Sequence, residues 1–201
     1  MAFTHPPKLI RDNTMKISHS AMIHFPIDRV YDAFLTRMAQ LPPWLPSIDK
    51  IEVTRVLSLT THQAEVDYKW HIDTQIIPVI LRPFLRSNMN HIRSTTVWCA
   101  QKRVVSFEFY HDDYRELFDC KGTFSLVEQS HNSMRIDIDA DLYPYPERLA
   151  GLPNWVAKKS IPLIEKLIFL DILRPSLMAL PEALQAITAI SEDTHIIGRS
   201  S

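Results

Sequence analysis

The stretch Ser133–Tyr143, SMRIDIDADLY, alternates without a break. Met134, Ile136, Ile138, Ala140 and Leu142 fall on one side, and Arg135, Asp137, Asp139 and Asp141 on the other. A period of two is that of a strand, and so clean a split belongs to an antiparallel sheet with one wet and one covered face. The acids stand on the wet side at strand spacing, which is a pattern of solvation rather than of a catalytic pair. Something apolar must cover the other side.

Working backward, YRELFDCKGTFSLVEQ pairs with this strand through a turn at SHNS. IRSTTVWCA and RVVSFEFYH form a second hairpin, and IDKIEVTRVLSL and HQAEVDYKWHID are two consecutive strands before it. In the latter, Val66, Tyr68, Trp70 and Ile72 share one face and Glu65, Asp67, Lys69 and His71 the other. Residues 76–92 resist assignment, because Pro78 and Pro83 argue against an uninterrupted central strand. MKISHSAMIHF alternates as a first strand and stops at Pro26. Ile27, Val30, Tyr31, Phe34, Leu35 and Met38 then recur at helical spacing, with Asp28 and Asp32 toward the N-terminal half, where the helix dipole favours anions.

Working forward, the cover is expected from Leu152 onward. In GLPNWVAKKSIPLIEKL, Gly151 turns the chain and Pro153 starts a helix. Val156, Ser160, Leu163, Leu167 and Leu170 form its inward stripe, beside Ala157, Ile161, Ile164 and Ile168. Pro162 is expected to kink it, and Trp155 to plug one end of the space beneath. Beyond Pro175, Leu177, Met178, Leu180, Leu184 and Ile187 continue apolar: they serve intramolecular packing by default, with a second subunit or a membrane surface as the alternatives. The expected architecture is α+β: a curved antiparallel sheet of about six or seven strands wrapped around a long C-terminal helix. It makes one domain over residues 15–190, between polar tails at 1–14 and 191–201.

Composition narrows the function. With 201 residues and a net charge of -1, the chain has length for one core and lacks the basic balance of a nucleic-acid binder. Three glycines, Gly122, Gly151 and Gly198, exclude a P-loop or a dinucleotide fingerprint, so no such cofactor is expected. The histidines show no metal-ligand spacing and no Cys/His cluster exists, so no metal is expected either. Cys99 and Cys120 are too few for a disulfide framework. No apolar run spans a bilayer and the N-terminus has no apolar signal region, so a cytoplasmic protein is expected, with at most transient membrane contact.

The block ISHSAMIHFPIDRVYDAFLTRMAQLPPWLPSIDKIEVTRV resembles the opening of the START/Bet v 1-like superfamily, also called SRPBCC: strand, proline, amphipathic helix, Trp-containing turn, strand. GLPNWVAKKSIPLIEKL is similar to the START pattern in which Gly-x-Pro-x-Trp introduces the closing helix. The resemblance runs over about residues 15–175. LRPSLMALPEALQAITAI and the proline-rich middle depart from the family, so the mouth of any cavity is expected to differ here. The resemblance implies a helix-grip fold holding a lipid, sterol, polyketide or other hydrophobic small molecule between sheet and helix. Some relatives move lipids, some are polyketide aromatase/cyclases, and others bind quinones.

On that fold, Tyr68, Trp70, Phe107, Phe109, Phe118, Cys120, Phe124 and Ile138 share inner faces and are the candidate ligand-binding set, with Trp155 and Leu163 from the cover. The same residues serve equally to fill a core. His111, at the end of the Phe107/Phe109 face, suits a hydrogen bond to a ligand hydroxyl or acid/base work, and Tyr68 is the other weak catalytic candidate. There is no nucleophile elbow, and thiols within strands suit inert burial. A non-catalytic binder of an apolar molecule is therefore the first reading, and a cyclase/aromatase-type enzyme using the same cavity is the alternative.

Overall fold

The computed structural model describes residues 15–60, 62–73, 75, 91–110, 118–144 and 166–197. Its elements follow the expected order: β1 (Met15–Ile23), α1 (Ile27–Arg37), β2 (Ile48–Thr60), β3 (Gln63–Ile72), β4 (His91–Cys99), β5 (Val104–Tyr110), β6 (Phe118–Ser130) and β7 (Ser133–Pro144). They form one sheet in the order β1-β7-β6-β5-β4-β3-β2. Every pairing is antiparallel.

The alternation in β7 sorts as read. Met134, Ile136, Ile138 and Leu142 are fully buried. On the other face Ser18 Oγ donates to Asp139 at 2.9 Å, Ser20 donates to Asp137, and Arg135 bonds the Asp137 carboxylate. The Ser20 hydroxyl, with Arg135, holds the Asp137 carboxyl below the usual carboxylate range. These are surface pairs, worth little stability each.

Curvature comes from irregular pairing. Register shifts at Ile48/Lys50, Val53/Arg55 and Ser58/Thr60 interrupt the β2–β3 ladder, and such bulges bend and twist a strand. α1 packs against β6 and the C-terminal helix with Val30, Tyr31, Ala33 and Phe34 buried, as its helical spacing requires. Asp28 in its first turn and Arg37 in its last complement the helix dipole. Two short 3-10 turns, Met38–Gln40 and Pro42–Trp44, lead from α1 to β2.

The cover is helical from Lys166 to Ile197: π-helical turns over Lys166–Leu173, then α2 (Arg174–Ile197). Its buried residues include Ile172, Leu173, Leu177, Leu180, Ala183, Leu184 and Ile187. Apart from Ile172, the core contacts named for the described cover come from the segment that departs from the family pattern. Intramolecular packing is its role here. The expected helix start at Gly151–Trp155 and the kink at Pro162 lie outside the described residues. Leu170, assigned inward by α-helical spacing, is exposed instead. A π turn takes an extra residue, so it shifts the phase of the stripe, and Ile172 and Leu173 point inward in its place. Met178 is also exposed.

Pro175 is tolerated because it stands in the first turn of α2, where its missing N–H is not needed within the α-helix. Pro181 lies inside α2 and deprives the Leu177 carbonyl of an N–H donor. Its ring is buried, so tertiary packing outweighs the helix propensity against it. α2 is tied to α1 and to the turn before it by Arg37 Nη1 donating to the Ile187 carbonyl and by the His24 N–H donating to Gln185 Oε1 at 3.2 Å. Among the described residues no helix is long and apolar enough to cross a membrane.

Candidate functional site

Between the sheet and the cover lies a cavity of about 30 Å³. Trp70, Ile92, Thr96, Phe107, Phe109 and Phe124 line it from the sheet. Phe34, Met38, Leu45 and Ile48 close it on the α1 side, and Ile172, Leu173, Ser176, Leu177 and Leu180 close it from the cover. A space of this size holds about two waters, and apolar walls favour leaving it dry.

Aromatic rings make its floor. Phe34 meets Trp98 edge-on at 4.8 Å and Phe124 at 5.3 Å. Phe124 stacks on Phe107 at 4.5 Å, Phe107 meets Phe109 at 5.3 Å, and Phe109 meets Trp70 at 5.4 Å. Centroid distances and tilts of this kind are the favourable ones for aromatic pairs. The chain of rings exists because Phe107, Phe109 and Phe124 stand on adjacent strands at even spacing, and because β6 carries a glycine where the rings need room. Phe107 faces Gly122 across the β5–β6 ladder, and its Cζ occupies the place of the missing side chain, 2.5 Å from where a Cβ would sit.

The few polar atoms of the wall are already bonded. Thr96 Oγ1 donates to the Val66 carbonyl at 3.0 Å and accepts from Trp98 Nε1 at 2.8 Å. Trp70 Nε1 donates to Ser94 Oγ at 2.8 Å. Ser176 Oγ donates to the Pro46 carbonyl at 2.8 Å. No acid, base or cation lines the cavity among the described residues. No group of metal-ligating side chains is present among them either.

Tyr68 is different. It stands on the inner face of β3 and is 0% exposed, yet its hydroxyl has no hydrogen-bond partner. Burial pushes the phenol well above its usual range, with the nearby Thr96 hydroxyl pulling weakly the other way. Cys120 is buried too, and burial raises its thiol to about 12, so at neutral pH it is a protonated, inert side chain.

The structure therefore distributes the expected site residues in three ways. Trp70, Phe107 and Phe109 line the cavity, with Phe124 beside them. Tyr68, Phe118, Cys120 and Ile138 are buried in the same core but do not line it. His111, Trp155 and Leu163 lie outside the described residues. Sequence reasoning passed over Phe34 and Met38, which read only as the apolar face of α1, and Leu45 and Ile48, which follow the proline-rich turn and open β2. It also passed over Thr96 and Ser176, whose hydroxyls carry no signal in sequence.

One edge of the cavity is held by a two-way clasp. Ser47 Oγ donates to the Asp171 carbonyl at 2.8 Å, while Ser176 Oγ returns a bond to Pro46. An α-helical turn would satisfy the Asp171 carbonyl with the N–H of residue 175, which is a proline and has none. Ser47 fills that need from a left-handed backbone, φ 69°, a conformation that costs a non-glycine residue about 1 kcal/mol or more. Ser176→Ala is expected to lower stability by about 1 kcal/mol, since Pro46 loses its donor. Ser47→Gly is expected to leave the melting temperature nearly unchanged, because relief of the backbone offsets the lost bond. Thermal melts of the two variants check both.

No protein-family profile matches the chain, and no curated protein matches it in sequence. Solved structures match it in shape. The Zhui aromatase/cyclase from Streptomyces sp. R1128 superposes with a TM-score of 0.55 at 13% identity, covering 88% of this chain and 94% of that one. Norcoclaurine synthase from Thalictrum flavum, in complex with dopamine and hydroxybenzaldehyde, gives 0.52 at 16% identity, covering 98% and 99%. A START superfamily protein from Mycobacterium smegmatis gives 0.50 at 13% identity, covering 88% and 98%. Identities this low speak to architecture, and the seven-stranded sheet gripping a long C-terminal helix agrees with them: the chain has the helix-grip fold of the START/Bet v 1-like (SRPBCC) superfamily.

Proposed function

We propose that this protein binds a hydrophobic small molecule between the sheet and the helical cover. The observation that carries the reading is the wall itself: among the described residues it is rings and aliphatic side chains, with the polar atoms of Thr96, Trp70 and Ser176 already bonded. Such a wall gains from contact with an apolar ligand and offers nothing to a charged one. Ligand pockets run to about 300 Å³ or more, so the cavity must widen as it fills. The clasp and the π turns mark where: the cover is held there by two side-chain bonds, and π turns often accompany functional sites. Binding is thus coupled to a small outward movement of the cover near Asp171–Ser176.

The solved structures of like fold support a cavity that meets small ring molecules, since one is named an aromatase/cyclase and another holds dopamine and hydroxybenzaldehyde. They also favour the second reading, an enzyme of cyclase/aromatase type that encloses and orients its substrate. A reduced, cytoplasmic compartment suits the two free thiols. Native mass spectrometry of protein purified from its own host tests the binding reading: a stoichiometric adduct released by organic solvent is the expected result. Protein that is free of any adduct, and that ignores a panel of lipids and apolar dyes, would count against it. Turnover of a candidate substrate would favour the enzyme, and unchanged turnover in His111→Ala would remove His111 from its mechanism.

A further inference from the structure

The Tyr68 hydroxyl is a buried donor with nothing to donate to. Around it, the neighbouring hydroxyl oxygens already accept: Thr96 Oγ1 from the Trp98 indole N–H and Ser94 Oγ from the Trp70 indole N–H. An unsatisfied buried hydroxyl costs a native fold appreciable stability and is rare enough to require a reason. Its position supplies one. Tyr68 pairs in register with Ser94, and the residues diagonal to it on β4, Ile92 and Thr96, both line the cavity, as does Trp70 on its own strand. Tyr68 therefore stands on the inner face of the sheet with its hydroxyl beside Thr96, a residue of the cavity wall.

We propose that the Tyr68 hydroxyl is the polar anchor of the cavity, donating a hydrogen bond to a carbonyl, ether or hydroxyl oxygen of an otherwise hydrocarbon, uncharged ligand. The inference rests on the binding reading above and narrows its ligand class. Burial keeps the phenol protonated, so it donates at all physiological pH. A carboxylate is disfavoured, because no cation lines the cavity among the described residues and an unpaired charge in such surroundings is costly. Neutral ring ketones, alcohols and ethers fit, and free fatty-acid anions do not.

The test compares three probes of similar size, tetralin, 1-tetralone and 1-naphthoate, on wild type and Tyr68→Phe by calorimetric titration. In wild type, 1-naphthoate is expected to bind at least tenfold more weakly than 1-tetralone. Tyr68→Phe should leave tetralin affinity unchanged and lower the tetralone-to-tetralin affinity ratio about fivefold or more, the worth of one neutral hydrogen bond. An unchanged ratio, with tetralin still bound, would overturn the anchor and leave the binding reading standing. If neither protein binds tetralin, both fall. A ligand-free measurement stands beside these. Because the hydroxyl lacks a partner, Tyr68→Phe should hold or raise the melting temperature by about 2–4 °C. A drop of several degrees would mean the hydroxyl is already satisfied, and would overturn the proposal without any ligand.

Discussion

Phe34→Ala is expected to lower stability by about 3–5 kcal/mol, the range for deleting a buried aromatic ring. The ring is 1% exposed, belongs to the buried face of α1, and joins Trp98 to Phe124. Both partners lose an edge-to-face contact in addition to the burial. For a chain of this length the melting temperature falls by about 10 °C or more. The same change has a second, opposite consequence. Phe34 lines the cavity, so its loss adds the volume of a benzyl group to a space of about 30 Å³. A dry apolar cavity of that enlarged size binds benzene. Benzene should therefore raise the melting temperature of Phe34→Ala by more than that of wild type, which separates an enlarged cavity from a collapsed core.

Gly122→Ala is expected to cost about 3 kcal/mol, at the upper end of the usual range for overpacking. The new Cβ would meet the Asp139 carbonyl oxygen at 2.3 Å, Phe107 Cζ at 2.5 Å and Ala140 Cβ at 2.8 Å. A ring can rotate away, but the Asp139 carbonyl belongs to β7 and moves only with the β6–β7 ladder. Displacement of Phe107 drives its ring toward the cavity it lines, so any ligand affinity should fall together with stability. In a double-mutant cycle with Phe107→Leu, the smaller side chain should recover part of the cost, a coupling of about 1 kcal/mol, since the two groups share one space. Equilibrium denaturation of the four proteins measures it.

The sheet was legible because its signals are local. Period-two alternation in Met134–Leu142, and again in Val105–Phe109 and Val66–Ile72, needs only the knowledge that one face is wet. The ring floor of the cavity follows from the same alternation. The cover was harder, because its clearest helix-start residues and the core contacts of its described part belong to different stretches. Gly151, Pro153 and Trp155 announce a helix, whereas Leu177–Ile187 carry two prolines nearby that argue against one. Pro175 is harmless at the first turn, and Pro181 is outweighed by burial; neither compensation is visible in a window of sequence. Leu170 was misplaced for a related reason, since α-helical spacing says nothing of a π turn. The clasp and the idle hydroxyl of Tyr68 depend on where other hydroxyls are spent: Ser47 on Asp171, Thr96 on Val66. Those are facts of tertiary geometry, and sequence pattern does not contain them.

The claim that sheet and cover enclose a ligand site is tested most directly by titrating the protein with the neutral fluorophore N-phenyl-1-naphthylamine while following quenching of tryptophan emission. Trp70 lines the cavity, so a bound fluorophore lies within energy-transfer reach of it. Wild type should saturate at one site per chain. Leu177→Phe, which adds a ring to about 30 Å³ of free space, should lose that binding while keeping a cooperative melt. Equal saturable binding by both proteins would place the fluorophore elsewhere, and no saturable binding by wild type would contradict the cavity as a ligand site.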